Sequence, residues 1–193
     1  MRKSFIAFVW IVAVLGVMMG DGLAQVTTTW TGGTSSAWDD PLNWNNGVPG
    51  AADNAIINPA SFNPVLNVDA AVNDLTINGG ALLTVNGQSL SIGGDLTVTI
   101  SNTNPDGLIM TAPNDVVTVE GVATFTTVSN HGSADSQGQF TAGLLRLRGG
   151  FTQTRNGALA SQKSFVSTGT RVVCDGEGSQ SIAFSNPSVS VSR

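Results

Sequence analysis

Arg146 and Arg148 stand two residues apart in the run Leu145-Arg146-Leu147-Arg148, and on an extended strand that spacing places both guanidinium groups on one face. Such a pair can grip the carboxylate of an acidic sugar, or steady a carboxylate charge that develops during its cleavage. No lysine or arginine occurs between residues 25 and 145, so that stretch supplies no further basic group, and a solvent-facing pair is the simpler expectation. Carboxylates come close in sequence as Asp39 with Asp40 and Asp175 with Glu177, which is what acid–base hydrolysis would require. Neighbouring strand residues point to opposite faces, however, and the second pair lies in a glycine turn, so solvated turn carboxylates are expected. Asn102, Asn104, Asp106 and Gly107 match the early positions of a calcium loop, but Pro113 stands where the bidentate glutamate belongs. An Asn-Pro-Asp-Gly turn accounts for those residues without metal. His131, the only histidine, falls in a Ser/Asn/Gly loop and cannot make a zinc site alone. Neither a Gly-x-Ser-x-Gly elbow nor a phosphate-cradling Gly-x-x-x-x-Gly-Lys run accompanies it. No catalytic, cofactor or metal residue is assigned on this basis, and calcium is the one ion considered.

Three of the four tryptophans, Trp30, Trp38 and Trp44, fall within fifteen residues. Indoles in one plane can stack on sugar rings, which would make a carbohydrate-binding platform. Indoles can equally cover the apolar end of a stacked structure while their N–H groups find polar partners. The second role is expected, because Pro41 and Pro49 fix the loop that carries them.

The elements that would position these residues are short strands. Alternation recurs in Leu75-Thr76-Ile77, Leu90-Ser91-Ile92, Leu96-Thr97-Val98-Thr99-Ile100, Val117-Thr118-Val119 and Leu145-Arg146-Leu147, separated by Asn78-Gly79-Gly80, Asn86-Gly87, Gly93-Gly94 and Gly149-Gly150. Leu90 to Thr97 aligns with Val117 to Thr124 and with Leu145 to Thr152, at steps of 27 and 28 residues. Each copy has two apolar residues at i and i+2, then glycine at i+4, then another apolar residue and a threonine: a strand that bends at glycine into the next. A period of this size with strand–bend–strand units indicates a solenoid. The expected fold is therefore all-β, a right-handed parallel β-helix whose inward stacks draw on Leu75, Ile77, Leu90, Ile92, Leu96, Val98, Val117, Val119, Leu145, Leu147 and Phe151. The alternative is an antiparallel β-sandwich, with Leu82 to Ile92 forming a hairpin about Asn86-Gly87.

The chain opens with Arg2 and Lys3, an apolar stretch from Phe5 to Met19, and small residues at Gly22-Leu23-Ala24. That is the pattern of a secretory signal peptide, residues 1–24, cut before Gln25. The expected domains are that signal, a Trp-rich cap over 25–54, and β-helix coils over 55–193. No later stretch is apolar and long enough to span a membrane. From residue 25 to 145 there are ten carboxylates and no lysine or arginine, and this acidic body argues against nucleic acid or anionic lipid as partner. Cys174 is the only cysteine, so no intramolecular disulfide can form, and a small buried thiol on a strand is expected.

The Thr29-Trp30-Thr31-Gly32 start, Trp38-Asp39-Asp40-Pro41-Leu42-Asn43-Trp44 and Gly47-Val48-Pro49-Gly50-Ala51-Ala52-Asp53 resemble the opening motif of large exported bacterial surface proteins built from right-handed parallel β-helices, pectate-lyase-like or adhesin-type. Leu75-Thr76-Ile77-Asn78-Gly79-Gly80 is also faintly similar to the G8 domain of surface proteins. The resemblance implies export, a capped β-helix, and a role at the cell surface or in the extracellular space. The reading that follows is a non-catalytic structural or adhesive module, with an extracellular polysaccharide or another surface protein as partner. Its alternatives are the N-terminal part of a polysaccharide lyase or hydrolase, and a carbohydrate-binding module working through Trp30, Trp38 and Trp44. The alternating Pro187 to Arg193 ending is expected to be a strand that a following coil or a partner would cover.

Overall fold

A computed structural model describes residues 24–101, 105–128, 136–154 and 163–184. The signal expected over 1–24 (Ala24 apart), Asn102, Asn104, His131 and the 187–193 strand lie outside the described residues. In chain order the strands are β1 (Thr27–Trp30), β2 (Asn54–Ile57), β3 (Ala70–Val72), β4 (Leu75–Ile77), β5 (Leu82–Thr84), β6 (Ser89–Ile92) and β7 (Leu96–Ile100). They continue as β8 (Gly107–Ile109), β9 (Val116–Val119), β10 (Ala123–Thr127), β11 (Leu144–Leu147), β12 (Phe151–Gln153), β13 (Arg171–Cys174) and β14 (Ile182–Phe184).

These strands stack into three faces. One is a seven-stranded sheet, β1-β2-β4-β7-β10-β12-β14; the second is five-stranded, β3-β6-β9-β11-β13. The third is the β5-β8 pair, extended at both ends by the bridges Ala37–Val65, Val65–Thr84, Met110–Phe140 and Phe140–Ser167. Every pairing between named strands is parallel, and from β2 onward consecutive strands lie on different faces, so the chain winds as a β-solenoid of about five turns.

The glycine-phased alignment is reproduced residue for residue. Leu90, Val117 and Leu145 are direct neighbours up the stack, as are Ile92, Val119 and Leu147. Around the bend Leu96, Ala123 and Phe151 are stacked in the same way. The period, by contrast, is not constant. Successive partners in the seven-stranded sheet, Ala55, Leu75, Leu96, Ala123, Phe151 and Ile182, lie 20, 21, 27, 28 and 31 residues apart. The lengthening is absorbed between faces: four residues separate β4 from β5, whereas twelve separate Thr127 from Phe140.

The hairpin reading is corrected. Asn86 and Gly87 both have positive φ, 57° and 81°, but they turn the chain from β5 onto β6, which belongs to another face. A left-handed Asn-Gly pair makes a tight bend whether or not the flanking strands pair, so the dipeptide alone cannot tell a corner from a hairpin.

All eleven residues expected inside are buried, together with Ile57, Leu66, Leu83, Leu108, Met110, Phe125 and Phe140. Where the coils are longest the filling is aromatic: Phe125 lies 5.7 Å from Phe140, 5.8 Å from Phe151 and 4.8 Å from Phe165. At the bend, glycines let one coil descend onto another. A Cβ on Gly121 would stand 2.7 Å from the carbonyl carbon of Gly94, and one on Gly149 would meet Gly121 as closely.

Cys174 is also a correction: it sits on a strand but is exposed. Its stack neighbour Leu147 is buried because β13 covers it, while no described strand lies beyond β13 on that sheet.

Three substitutions test this packing. Phe125→Ala should cost about 3–5 kcal/mol in urea unfolding, the range for deleting a buried aromatic. Gly121→Val should lower the thermal midpoint, whereas Gly178→Ala, whose added methyl meets nothing within 4 Å, should leave it unchanged.

Candidate functional site

The described residues singled out for chemistry fall in three places: the bend beside β11, the loop after β1, and the start of β8 at Asp106 and Gly107. At the bend, Glu120, Arg148 and Asp175 occupy the same position on three consecutive coils, one past Val119, Leu147 and Cys174. Charges alternate along the column and pair: Arg148 Nη1 to Glu120 Oε1 is 2.7 Å, Arg146 Nε to Asp175 Oδ2 is 2.8 Å, and Arg148 Nε to Asp175 Oδ1 is 3.9 Å. The Arg146 Nε–H lies near Asp175 without being aimed along a hydrogen bond, so charge and not directional bonding holds that contact. All four side chains keep between 33% and 45% of their surface exposed. Pairs this wet contribute about 0–1 kcal/mol each. Glu120, Arg148 and Asp175, together with Gly176 and Glu177, line an open groove. Each guanidinium thus already faces a carboxylate of a neighbouring coil.

Asp39 and Asp40 are not brought together as a catalytic pair. Asp39 accepts a 2.6 Å hydrogen bond from Asn67, while Asp40 caps the short 3-10 helix Pro41–Asn43 by accepting from the Leu42 N–H at 3.0 Å and the Thr34 hydroxyl at 2.8 Å. Those bonds, from Thr34 first and Leu42 second, hold the Asp40 carboxyl below its ordinary 3.8. Asp106, the described carboxylate of the calcium-like loop, is fully buried and takes the N–H groups of Gly80 and Ser101 on Oδ2 at 3.0 and 2.6 Å; its Oδ1 has no partner. Among the described residues no three His, Cys, Asp or Glu side chains converge.

Trp30, Trp38 and Trp44 form one cluster, with ring centroids 5.1 Å apart for Trp30–Trp44 and 4.7 Å for Trp38–Trp44, both edge-to-face. They are 2%, 1% and 4% exposed, so no indole face is open to solvent. The Trp30 N–H donates to the Phe62 carbonyl at 2.7 Å and the Trp44 N–H to the Trp38 carbonyl at 2.8 Å. The cluster lies at the β1 end of the solenoid, and β1 itself pairs in parallel with β2.

Two arrangements carry no signal that the chemistry-led reading looked for. Buried Asn43 accepts the N–H groups of Thr34 and Ser35, both at 3.0 Å, and donates to Ser35 Oγ and the Ala37 carbonyl, also at 3.0 Å, tying the tryptophan loop to itself. The second is a ladder along one corner, where Asn54 accepts the Asp74 N–H at 3.2 Å, Asp74 that of Asp95 at 2.8 Å, and Asp95 that of Val122 at 2.7 Å. An Asx residue at the strand start or immediately before it, at Asn54, Asp74 and Asp95, is the pattern that would have revealed it.

Compared with protein-family models, with curated proteins and with solved structures, the chain matches none.

The Asp40 cap gives a pH dependence of defined sign. A carboxyl whose folded pKa is depressed stabilises the fold above its unfolded pKa, and that contribution is lost as pH falls through the folded value. Asp40→Ala should therefore lie below the parent in urea midpoint at neutral pH, and the gap should close as pH falls from 3.8 through the depressed value.

Proposed function

We propose that this protein is an exported, non-catalytic β-solenoid that acts as a structural or adhesive module at the cell surface or in the extracellular space. Its shaft holds outward side chains in fixed rows, and recognition is spread along those rows instead of being gathered in a pocket. The observation that carries this reading is where the charged groups are spent. Asp40, Asp53, Asp74 and Asp95 bind backbone N–H groups that hold loops and coils together, and Arg146 and Arg148 pair with carboxylates of neighbouring coils. Export is supported by the Arg2-Lys3 start and the apolar run behind it. No helix among the described residues is long and apolar enough to cross a membrane.

The tryptophan cluster reads as a lid on the first coil. Its burial and its two internally bonded N–H groups support a lid over a sugar platform, which needs an open ring face. The polysaccharide-lyase reading and the likeness to adhesin-type surface proteins rest on sequence alone.

Two measurements test the proposal. Tryptophan emission should be blue-shifted and should not respond to titration with neutral or acidic glycans; a saturable change would assign a binding module. No product should form from a panel of acidic polysaccharides, with or without calcium. Turnover abolished by Arg146→Ala or Arg148→Ala would replace the structural reading with a lyase.

A further inference from the structure

The outer face of the seven-stranded sheet carries a two-dimensional array of threonines. Thr76, Thr97, Thr124 and Thr152 are direct neighbours on β4, β7, β10 and β12, four consecutive coils. Two residues further along three of these coils a second column runs in parallel: Thr99 stands beside Thr126, and Thr154 follows, its N–H bonded to the Phe125 carbonyl. The local sequence is therefore Thr-x-Thr on three coils in a row, Thr97-Val98-Thr99, Thr124-Phe125-Thr126 and Thr152-Gln153-Thr154, with the intervening Val98 and Phe125 buried.

Three properties separate this face from an ordinary polar surface. None of the seven strands of the sheet contains a charged residue, and no aromatic ring takes an outward position on it. All seven threonines are partly exposed, and among the described residues none of their hydroxyls has a hydrogen-bond partner, whereas the hydroxyls of Thr28, Thr34 and Thr170 are all bonded internally. The array is also not a general consequence of the solenoid. The matching outward column of the five-stranded sheet reads Ala71, Ser91, Thr118, Arg146 and Val173.

Parallel strands set the column spacing at about 4.8 Å, and alternate residues on one strand are about 6.6 Å apart. The first length lies close to the oxygen repeat along the a axis of hexagonal ice, and the second is about a tenth shorter than the repeat along c. Threonine suits such a surface, since its β-branched side chain has little rotamer freedom to lose, its hydroxyl both donates and accepts, and its methyl excludes disordered water. From this geometry we infer that the threonine face binds crystalline water, adsorbing to ice through the two columns. The inference deepens the display-shaft reading by naming what one face holds. A flat crystalline polysaccharide is the competing occupant, and the lack of an outward ring to stack on sugars disfavours it.

The test uses the purified full chain, so it does not depend on export or adhesion. Growing ice is watched under a microscope for thermal hysteresis and crystal shaping, and uptake of labelled protein into a slowly grown ice ball is measured. The parent should shape crystals and enter the ice. Thr124→Lys, at the centre of the array, should lose both, while Ser91→Lys on the other sheet keeps them; circular dichroism and melting establish that each is folded. Should Thr124→Lys fail to fold, the nearly isosteric Thr124→Val supplies the same comparison, with weakened hysteresis expected. The inference is overturned if the parent neither shapes nor enters ice, or if substitutions in the array behave as the parent does. Retention on crystalline cellulose or chitin, without ice activity, would reassign the face to polysaccharide. None of these results alters the separate measurements on glycans and turnover.

Discussion

Every described coil depends on the close descent of one backbone onto the next. A strand of three to five residues cannot satisfy its own N–H and C=O groups, and here they are met by the coils above and below. That contact is tightest at the glycine bend, where Gly94, Gly121 and Gly149 pass with no room for a side-chain carbon. The bend fixes the angle between two faces, and the angle in turn sends Leu90, Ile92 and Leu96 to one interior. The interior rows, the outward rows and the charge column beside β11 all inherit their alignment from it. The Asx ladder on the next residue reinforces the same corner, each carboxylate or amide gripping the backbone of the coil above until Val122 and Gly150 replace it.

The two ends of the shaft are finished differently. At the β1 end three buried indoles pack edge to face, and the Asn43 side chain is hydrogen-bonded within the same loop. At the β14 end Val172, Cys174, Ile182 and Phe184 hold inward register positions, yet they remain exposed among the described residues. Their partners one coil earlier, Leu145, Leu147 and Phe151, are buried by them.

Much of this was legible because local rules and stacking agree. Alternation gave the strands, and glycine at a constant phase gave the parallel register from Leu90 through Leu147, since a close backbone approach leaves a mark in the sequence. The lower coils were harder to read, because only inward positions are constrained while connections between faces are free to grow, and a fixed period then fails at Ala55 and Leu75. Asn86-Gly87 was ambiguous for a local reason: the dipeptide specifies a bend and not its partner strand. The candidate site was less legible than the fold. Pairing of Arg146 with Asp175 and of Arg148 with Glu120 joins residues about one coil apart, and only the final register reveals it. The exposure of Cys174 likewise depends on what lies beyond its strand and not on its neighbours in sequence.

The unequal coil lengths have a mechanical consequence. Strand-to-strand hydrogen bonds run along the shaft, so tension between its two ends loads them one coil at a time, as in unzipping. Each coil that peels away releases its 20 to 31 residues, or about 70–105 Å of slack at full extension. Under load a rod built in this way would lengthen in discrete, unequal steps, with work dissipated at each one.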